Sequence, residues 1–288
     1  MNKAIFARVI FAVATLFFTH TVAASNIGKI DSLRLPAWLD RGGLSVPASP
    51  GIELQVGDKL RTGSGARMLL ALNEGSLVRL GENATFEIVA AERKAGVFTA
   101  ALSVVEGAFR FTTKALMKAQ PRNVSIRVGN NATIGIRGTD VWGRGRLDKD
   151  IVCLIEGKID VTGNNNRTLR LDQPLQFFQS TRTAPPEPVS FLDHKQLDIW
   201  ARETDLEAGK GATAIGVWSI NVINFASRDA LLAASRAMRD AGYPVEKSAN
   251  NALTISRLAG ETEAKDLAAA LSAQFNLKDV IVSRQLPR

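Results

Sequence analysis

The feature that most constrains this chain is a change of hydrophobic period partway along it. From Asn26 to about Phe178, apolar residues alternate in short runs parted by Gly, Asn and Asp turns, and no amphipathic helix interrupts them. Runs such as Met68–Leu72, Thr85–Val89, Ala108–Phe111, Ser125–Val128 and Ile151–Ile155 predict strands. From Trp218 onward the pattern is strand, helix, strand, written twice about 35 residues apart. The expectation is a multidomain protein: an all-β N-terminal domain followed by an α+β C-terminal domain.

The β region also repeats itself. The segment Arg79-Leu80-Gly81-Glu82-Asn83-Ala84-Thr85-Phe86-Glu87-Ile88 returns 48 residues later as Arg127-Val128-Gly129-Asn130-Asn131-Ala132-Thr133-Ile134-Gly135-Ile136. Glu106-Gly107 is answered by Glu156-Gly157. Two turns built alike, each followed by a strand and a Glu-Gly corner, predict stacked β-layers, either a β-solenoid or a sandwich.

In the C-terminal region, Ser227 reads as the N-cap of a helix that buries Leu231, Ala234, Met238 and Ala241 and stops at Gly242. A strand over Tyr243–Lys247 follows, then one over Leu253–Arg257. A second helix buries Ala264, Leu267, Leu271 and Phe275 and stops at Asn276, before a last strand over Asp279–Arg284. Two helices on one face of a four-stranded antiparallel sheet leave the other face open. Alternation along the strands places Ser219, Asn221 and Ile223 on that open face, joined by Thr254 and Ser256.

Residues 1–24 hold no acid, with Lys3 and Arg8 ahead of the apolar run Val9–Phe18 and small residues at Val22-Ala23-Ala24. This is the layout of a signal peptide cleaved after Ala24 or Ala23. The chain therefore divides into a signal peptide (1–24), a β domain (25–180), a linker with a short helix (181–213) and an α+β domain (214–288). Within the linker, Ala184-Pro185-Pro186-Glu187-Pro188 is stiff and extended. Phe191–Glu207 reads as a helix using Leu192, Leu197, Trp200 and Leu206, and Gly209-Lys210-Gly211-Ala212 as a flexible tether.

Composition removes several function classes. One cysteine, Cys153, and two histidines, His20 and His194, cannot build a disulfide or a Cys/His zinc site. The formal charge of +8 is spread out, and residues 214–288 hold nine Lys/Arg against seven Asp/Glu, so no basic stripe points to nucleic acid. Catalysis finds no candidate. His194 reads as a solvated helix residue, Cys153 as a packed strand thiol, and the carboxylates of Glu106 and Glu156 as parts of structural turns. No metal or cofactor is expected.

Two family resemblances sit on this frame. Gly57-Asp58-Lys59-Leu60-Arg61-Thr62-Gly63, Asn73-Glu74-Gly75-Ser76, Ile134-Gly135-Ile136-Arg137-Gly138-Thr139-Asp140 and Glu156-Gly157 resemble, in order, motifs of the FecR domain. FecR-like domains are periplasmic β-structures first known from transmembrane regulators of sigma factors. The doubled strand–helix–strand pattern, headed by Trp218-Ser219-Ile220-Asn221-Val222-Ile223-Asn224-Phe225, resembles a SPOR domain, with Asn221 where that family usually has Gln. SPOR domains bind peptidoglycan glycan strands stripped of stem peptides, of the kind found at division septa.

The resemblance implies a glycan site at Ser219, Asn221, Ile223, Asn224, Phe225, Tyr243, Thr254 and Ser256, where amide and hydroxyl groups suit sugar hydroxyls and an aromatic ring can stack. The resulting expectation is a non-enzymatic, cell-wall-associated periplasmic protein. Its SPOR-like domain would tether a FecR-like scaffold to denuded glycan strands, with an unidentified envelope protein as the partner of the β domain. No nucleic acid would be bound, and no membrane insertion would remain after signal cleavage. The alternative is an envelope signalling or sensing component whose two domains both bind proteins.

Overall fold

The computed structural model describes residues 26–113, 121–136, 138–163, 165–181, 187–206, 210–248 and 250–285. The signal peptide expected over 1–24 lies outside them. The chain enters through β1 (Gly28–Arg34), β2 (Ala37–Arg41), β3 (Leu44–Pro47), β4 (Glu53–Leu54) and β5 (Lys59–Thr62). Then come β6 (Arg67–Leu72), β7 (Ser76–Leu80), β8 (Thr85–Lys94) and the long β9 (Val97–Thr113). The β region closes with β10 (Arg122–Val128), β11 (Ala132–Ile136), β12 (Asp140–Gly145), β13 (Lys149–Glu156), β14 (Ile159–Gly163), β15 (Thr168–Leu171), β16 (Gln176–Thr181) and β17 (Ser190–Phe191).

These strands form two sheets over one core, the sandwich of the two architectures expected. One sheet runs β3-β2-β5-β8-β9-β10-β11-β14-β15. The other runs β1-β6-β7-β9-β12-β13-β16-β17. Strand β9 belongs to both, pairing with β8 up to Glu106 and with β7 from Phe109 onward. Its corner falls at Gly107, whose φ of 90° is open to glycine and strained for other residues. A Cβ there would also stand 2.5 Å from the Cα of Ala84. The matching Gly157 (φ 94°) turns the chain from β13 in one sheet to β14 in the other, so the two Glu-Gly corners do the same work.

The longer repeat does not. Its first copy crosses between sheets, from β7 to β8, with Asn83 in the left-handed region (φ 51°). Its second copy is a hairpin inside one sheet, β10 to β11, with Val128 opposite Ala132 and Gly129 left-handed instead (φ 53°). Similar residues accept either turn because Asn and Gly both tolerate the left-handed backbone. The packing each copy meets decides between them.

The C-terminal unit holds α1 (His194–Thr204), β18 (Ala212–Thr213), β19 (Trp218–Val222), α2 (Arg228–Asp240), β20 (Glu246–Lys247), β21 (Leu253–Leu258), α3 (Glu261–Phe275) and β22 (Val280–Arg284). Ser227 Oγ accepts from Ala230 N and caps α2, and left-handed Asn276 closes α3. The sheet order β20-β21-β19-β22 is antiparallel throughout. Leu231, Met238, Ala264 and Leu271 are buried as the helical spacing requires, with Ile220, Val222, Leu253 and Ile255 among the buried strand residues. The strand expected from Tyr243 shrinks to Glu246–Lys247, because Tyr243 and Val245 sink into the core instead.

The stretch read as a flexible tether is a joint. Ala212 pairs with Leu33 of β1 and with Leu258 of β21, so β18 joins the sandwich to the C-terminal sheet. Trp38 Nε1 donates to Asp240 O, Ala37 N to Gly242 O, and Arg257 Nη1 to Pro50 O. Gly242 thus ends α2 and also receives the sandwich: a Cβ there would lie 2.7 Å from the Trp38 ring. Arg34 pairs with Glu263, which also accepts from Gly211 N. One hydrophobic core runs through both units.

Candidate functional site

The open face of the C-terminal sheet is built by alternation along β19, β21 and β22. Asn221 stands opposite Thr254 on one side and Ile281 on the other. Its carbonyl Oδ1 accepts from Thr254 Oγ1 at 2.9 Å, and its Nδ2 donates to Ser283 Oγ at 2.9 Å. A polar ladder therefore crosses three strands, with both ends of the amide occupied. Ser256 shares this face and is half-buried, while Ile281 is exposed on it. Ile281 and Ser283 were not singled out from sequence. Strand alternation carried the signal for both, but β22 offered no motif to draw attention to it.

The other residues expected at the glycan site are placed differently. Ser219 is fully buried, and its hydroxyl has no hydrogen-bond partner among the described residues. Ile223 is half-buried at the strand end, and Asn224 is exposed in a left-handed turn (φ 58°). Phe225 packs against the core. Tyr243 is 6% exposed, meets Phe275 edge-on at 5.9 Å and donates to Gln274 Oε1, and its burial pushes the phenol pKa up. The structure thus brings together Asn221, Thr254 and Ser256, and turns both expected stacking rings inward.

A second region of interest lies on the outer face of the sandwich, beneath α1. Pairing sets Arg79, Arg110, Trp142, Cys153 and Phe177 in one row across five strands. Asp193 Oδ1 caps α1 by accepting from Gln196 N, and the helix lays Trp200 on Trp142 with Phe177 edge-on at 6.2 Å. This cover explains why β12 and β13 read as continuously buried rather than alternating. At the far end Arg144 Nη1 donates to both oxygens of Glu203, at 2.9 and 3.0 Å, and its guanidinium lies 5.4 Å from the Trp142 ring. Between α1 and three turns of the sandwich opens a cleft of about 540 Å³ lined by charged residues of both signs. Sequence spacing gave no sign of it, since its walls come from five separate segments.

The motif residues near the N-terminus have structural work. Asp58, 1% exposed, takes Arg41 Nε and Nη2 at 2.7 Å each and Gln55 N at 2.8 Å. Thr62 Oγ1 donates to Gly81 O and accepts from Ala84 N, which pins the first repeat's turn. Asp140 receives Arg110 at 2.9 and 2.8 Å. Glu74 binds Arg122 at 2.8 Å, with both side chains 2% exposed.

Chemically reactive groups are few. Cys153 is fully buried, and burial alone pushes its thiol pKa to about 12. His194 is exposed at the first turn of α1. Among the described residues no three His, Cys, Asp or Glu side chains gather as a metal site, and no helix is long and apolar enough to cross a membrane.

Residues 58–160 match the family model described as FecR protein, which bears out that resemblance over the sandwich. The match stops short of the C-terminal unit, and nothing found supports the SPOR resemblance. No curated protein matches the chain. Two crystal structures of a candidate anti-sigma factor from Parabacteroides distasonis ATCC 8503, at 1.65 and 2.50 Å, superpose with a TM-score of 0.42 each. They are 12% and 11% identical and cover 79% and 80% of this chain and 99% of their own.

Proposed function

We propose that this protein is a non-enzymatic component of an envelope signalling or sensing system, whose sandwich and C-terminal unit both recognise protein partners. The observation that carries the reading is the FecR match over residues 58–160, because FecR-like domains are known from regulators that pass envelope signals to sigma factors. The joint at β18 supports it mechanically. A partner seated on the C-terminal sheet would rest on β21, which is linked through Ala212 of β18 to β1 of the sandwich.

Tethering to peptidoglycan has less behind it. On the open face the Asn221 amide is paired at both ends, while Tyr243 lies in the core and Phe225 packs against it. An exposed Ile281, next to Asn221 and across β19 from half-buried Thr254, suits a protein surface better than a sugar.

A photo-crosslinking residue in place of Ile281, in the full chain in its own cell, tests the reading alongside transcript profiling of a deletion strain. The expected result is an adduct to one envelope protein and a changed set of transcripts. An unchanged transcript profile, together with strong pelleting of the chain on amidase-treated sacculi, would replace this reading with the wall anchor.

A further inference from the structure

The cleft beneath the end of α1 is walled by Arg67 at the start of β6, the turn after β7, the corner of β9, the hairpin between β12 and β13, and Glu203. Its volume of about 540 Å³ falls within the range of small-ligand sites, roughly 300–1,000 Å³. What distinguishes it is the state of its charges. Arg144 and Glu203 are committed to each other, yet Arg144 Nε is buried with no partner. Arg67 donates to Ala66 O, its own neighbour, and among the described residues forms no ion pair, although Glu82 and Glu203 lie near enough to favour its charged form. Arg146, Glu106 and Asp148 also line the cleft without an ion pair among the described residues.

Unspent charges of both signs facing one cavity select against simple ions. A monoanion drawn to Arg67 would face Glu82, Glu106 and Asp148, and a monocation would face the arginines. A molecule carrying an ammonium at one end and a carboxylate at the other satisfies both walls at once. Burial lowers the Arg67 pKa, so its guanidinium is poorly hydrated and gains most from an arriving carboxylate.

We propose that this cleft binds a short peptide with free termini, its carboxylate held by Arg67 and Arg144 Nε and its ammonium by Glu106 and Asp148. The site is separate from the open face of the C-terminal sheet, and it stands or falls independently of the signalling reading. Because Arg144 lies over Trp142 and within 5.9 Å of the Trp200 ring, occupancy also changes the surroundings of both indoles.

The test is calorimetric titration of the full chain with trialanine, N-acetyl-trialanine and trialanine amide, with tryptophan emission followed in parallel. Charge-assisted hydrogen bonds set the scale, so each blocked peptide is expected to bind at least about tenfold more weakly than the free one. Arg67→Gln should weaken the free peptide by a similar factor and leave the amide unchanged. Asp148→Asn, on an exposed turn, should do the converse for the acetylated form, and melting curves confirm that both variants are folded. Absence of saturable heat up to about 10 mM trialanine would overturn the proposal. So would equal affinity for all three peptides, since contacts blind to charge would then hold the ligand.

Discussion

Trp200 lies flat on Trp142, the ring centroids 4.5 Å apart and the planes 13° from parallel. The stack closes a small second core with Ala108, Ile151 and Cys153, apart from the one that fills the sandwich. A helix of 11 residues does not persist alone in water, so α1 depends on this contact and on the Arg144–Glu203 pair. Removing a large buried aromatic costs roughly 3–5 kcal/mol, of which the stacking geometry supplies about 0.5–1.5 kcal/mol. Trp200→Ala is expected to release α1 while the sandwich stays folded. Limited proteolysis should then cut within residues 194–204 at protease levels that spare the parent. Undiminished protection would mean that Phe177 and Arg144 hold the helix without the stack.

The Glu74–Arg122 pair lies almost wholly out of water, each side chain 2% exposed. Breaking such a pair strands a charge and costs roughly 3–5 kcal/mol, whereas replacing both partners with apolar groups is often neutral. Glu74→Leu and Arg122→Met should each lower the denaturation midpoint sharply, and the double variant should recover much of the loss. Additive losses in a denaturant titration would show that the two residues act separately.

Burial holds the Cys153 thiol protonated, its pKa raised from an ordinary 9.0 to about 12. The folded state therefore binds a proton that the unfolded state gives up above about pH 9. The stability associated with that proton is complete below the unfolded pKa and is lost as pH rises toward about 12. At pH 8 the native chain should resist a thiol reagent that labels the unfolded chain within minutes. Rapid labelling of native protein would place the sulfur at the surface.

Much of this architecture could be read from residues alone, because period and punctuation encode it locally. Ser227, Gly242 and Asn276 mark the helix ends by their own backbone preferences. The Glu-Gly corners were recognisable because only glycine accepts their geometry. The sheet each copy of the longer repeat enters was not legible, since Asn and Gly permit both turns and distant packing chooses. Tyr243 misleads for a related reason: at a strand position it is amphipathic, and whether its ring faces sugar or Phe275 depends on how α3, later in the chain, packs. The tether became a joint because β4 covers β1 only at Gly28 and Lys29 and β20 covers β21 only at Leu253 and Thr254, which leaves Leu33 and Leu258 for Ala212 to pair. The charged cleft had no linear trace at all.

The amide of Asn221 separates the two functional readings most directly. If the open face reads glycan, Asn221 is a contact, and Asn221→Ala with Ser256→Ala should weaken pelleting on amidase-treated sacculi. If the face is a protein surface, the amide is a brace between β21 and β22, and its loss acts on stability. Each of its two hydrogen bonds contributes about 1 kcal/mol, less where water replaces the partner, and Thr254 and Ser283 are only half-buried. The expected outcome for Asn221→Ala is a loss of about 1–2 kcal/mol in a denaturant titration of the full chain. Pelleting with sacculi is expected to be the same for the variant as for the parent. A fall in pelleting at unchanged stability would return the face to the sugar. The exposed Ile281 would then need another role.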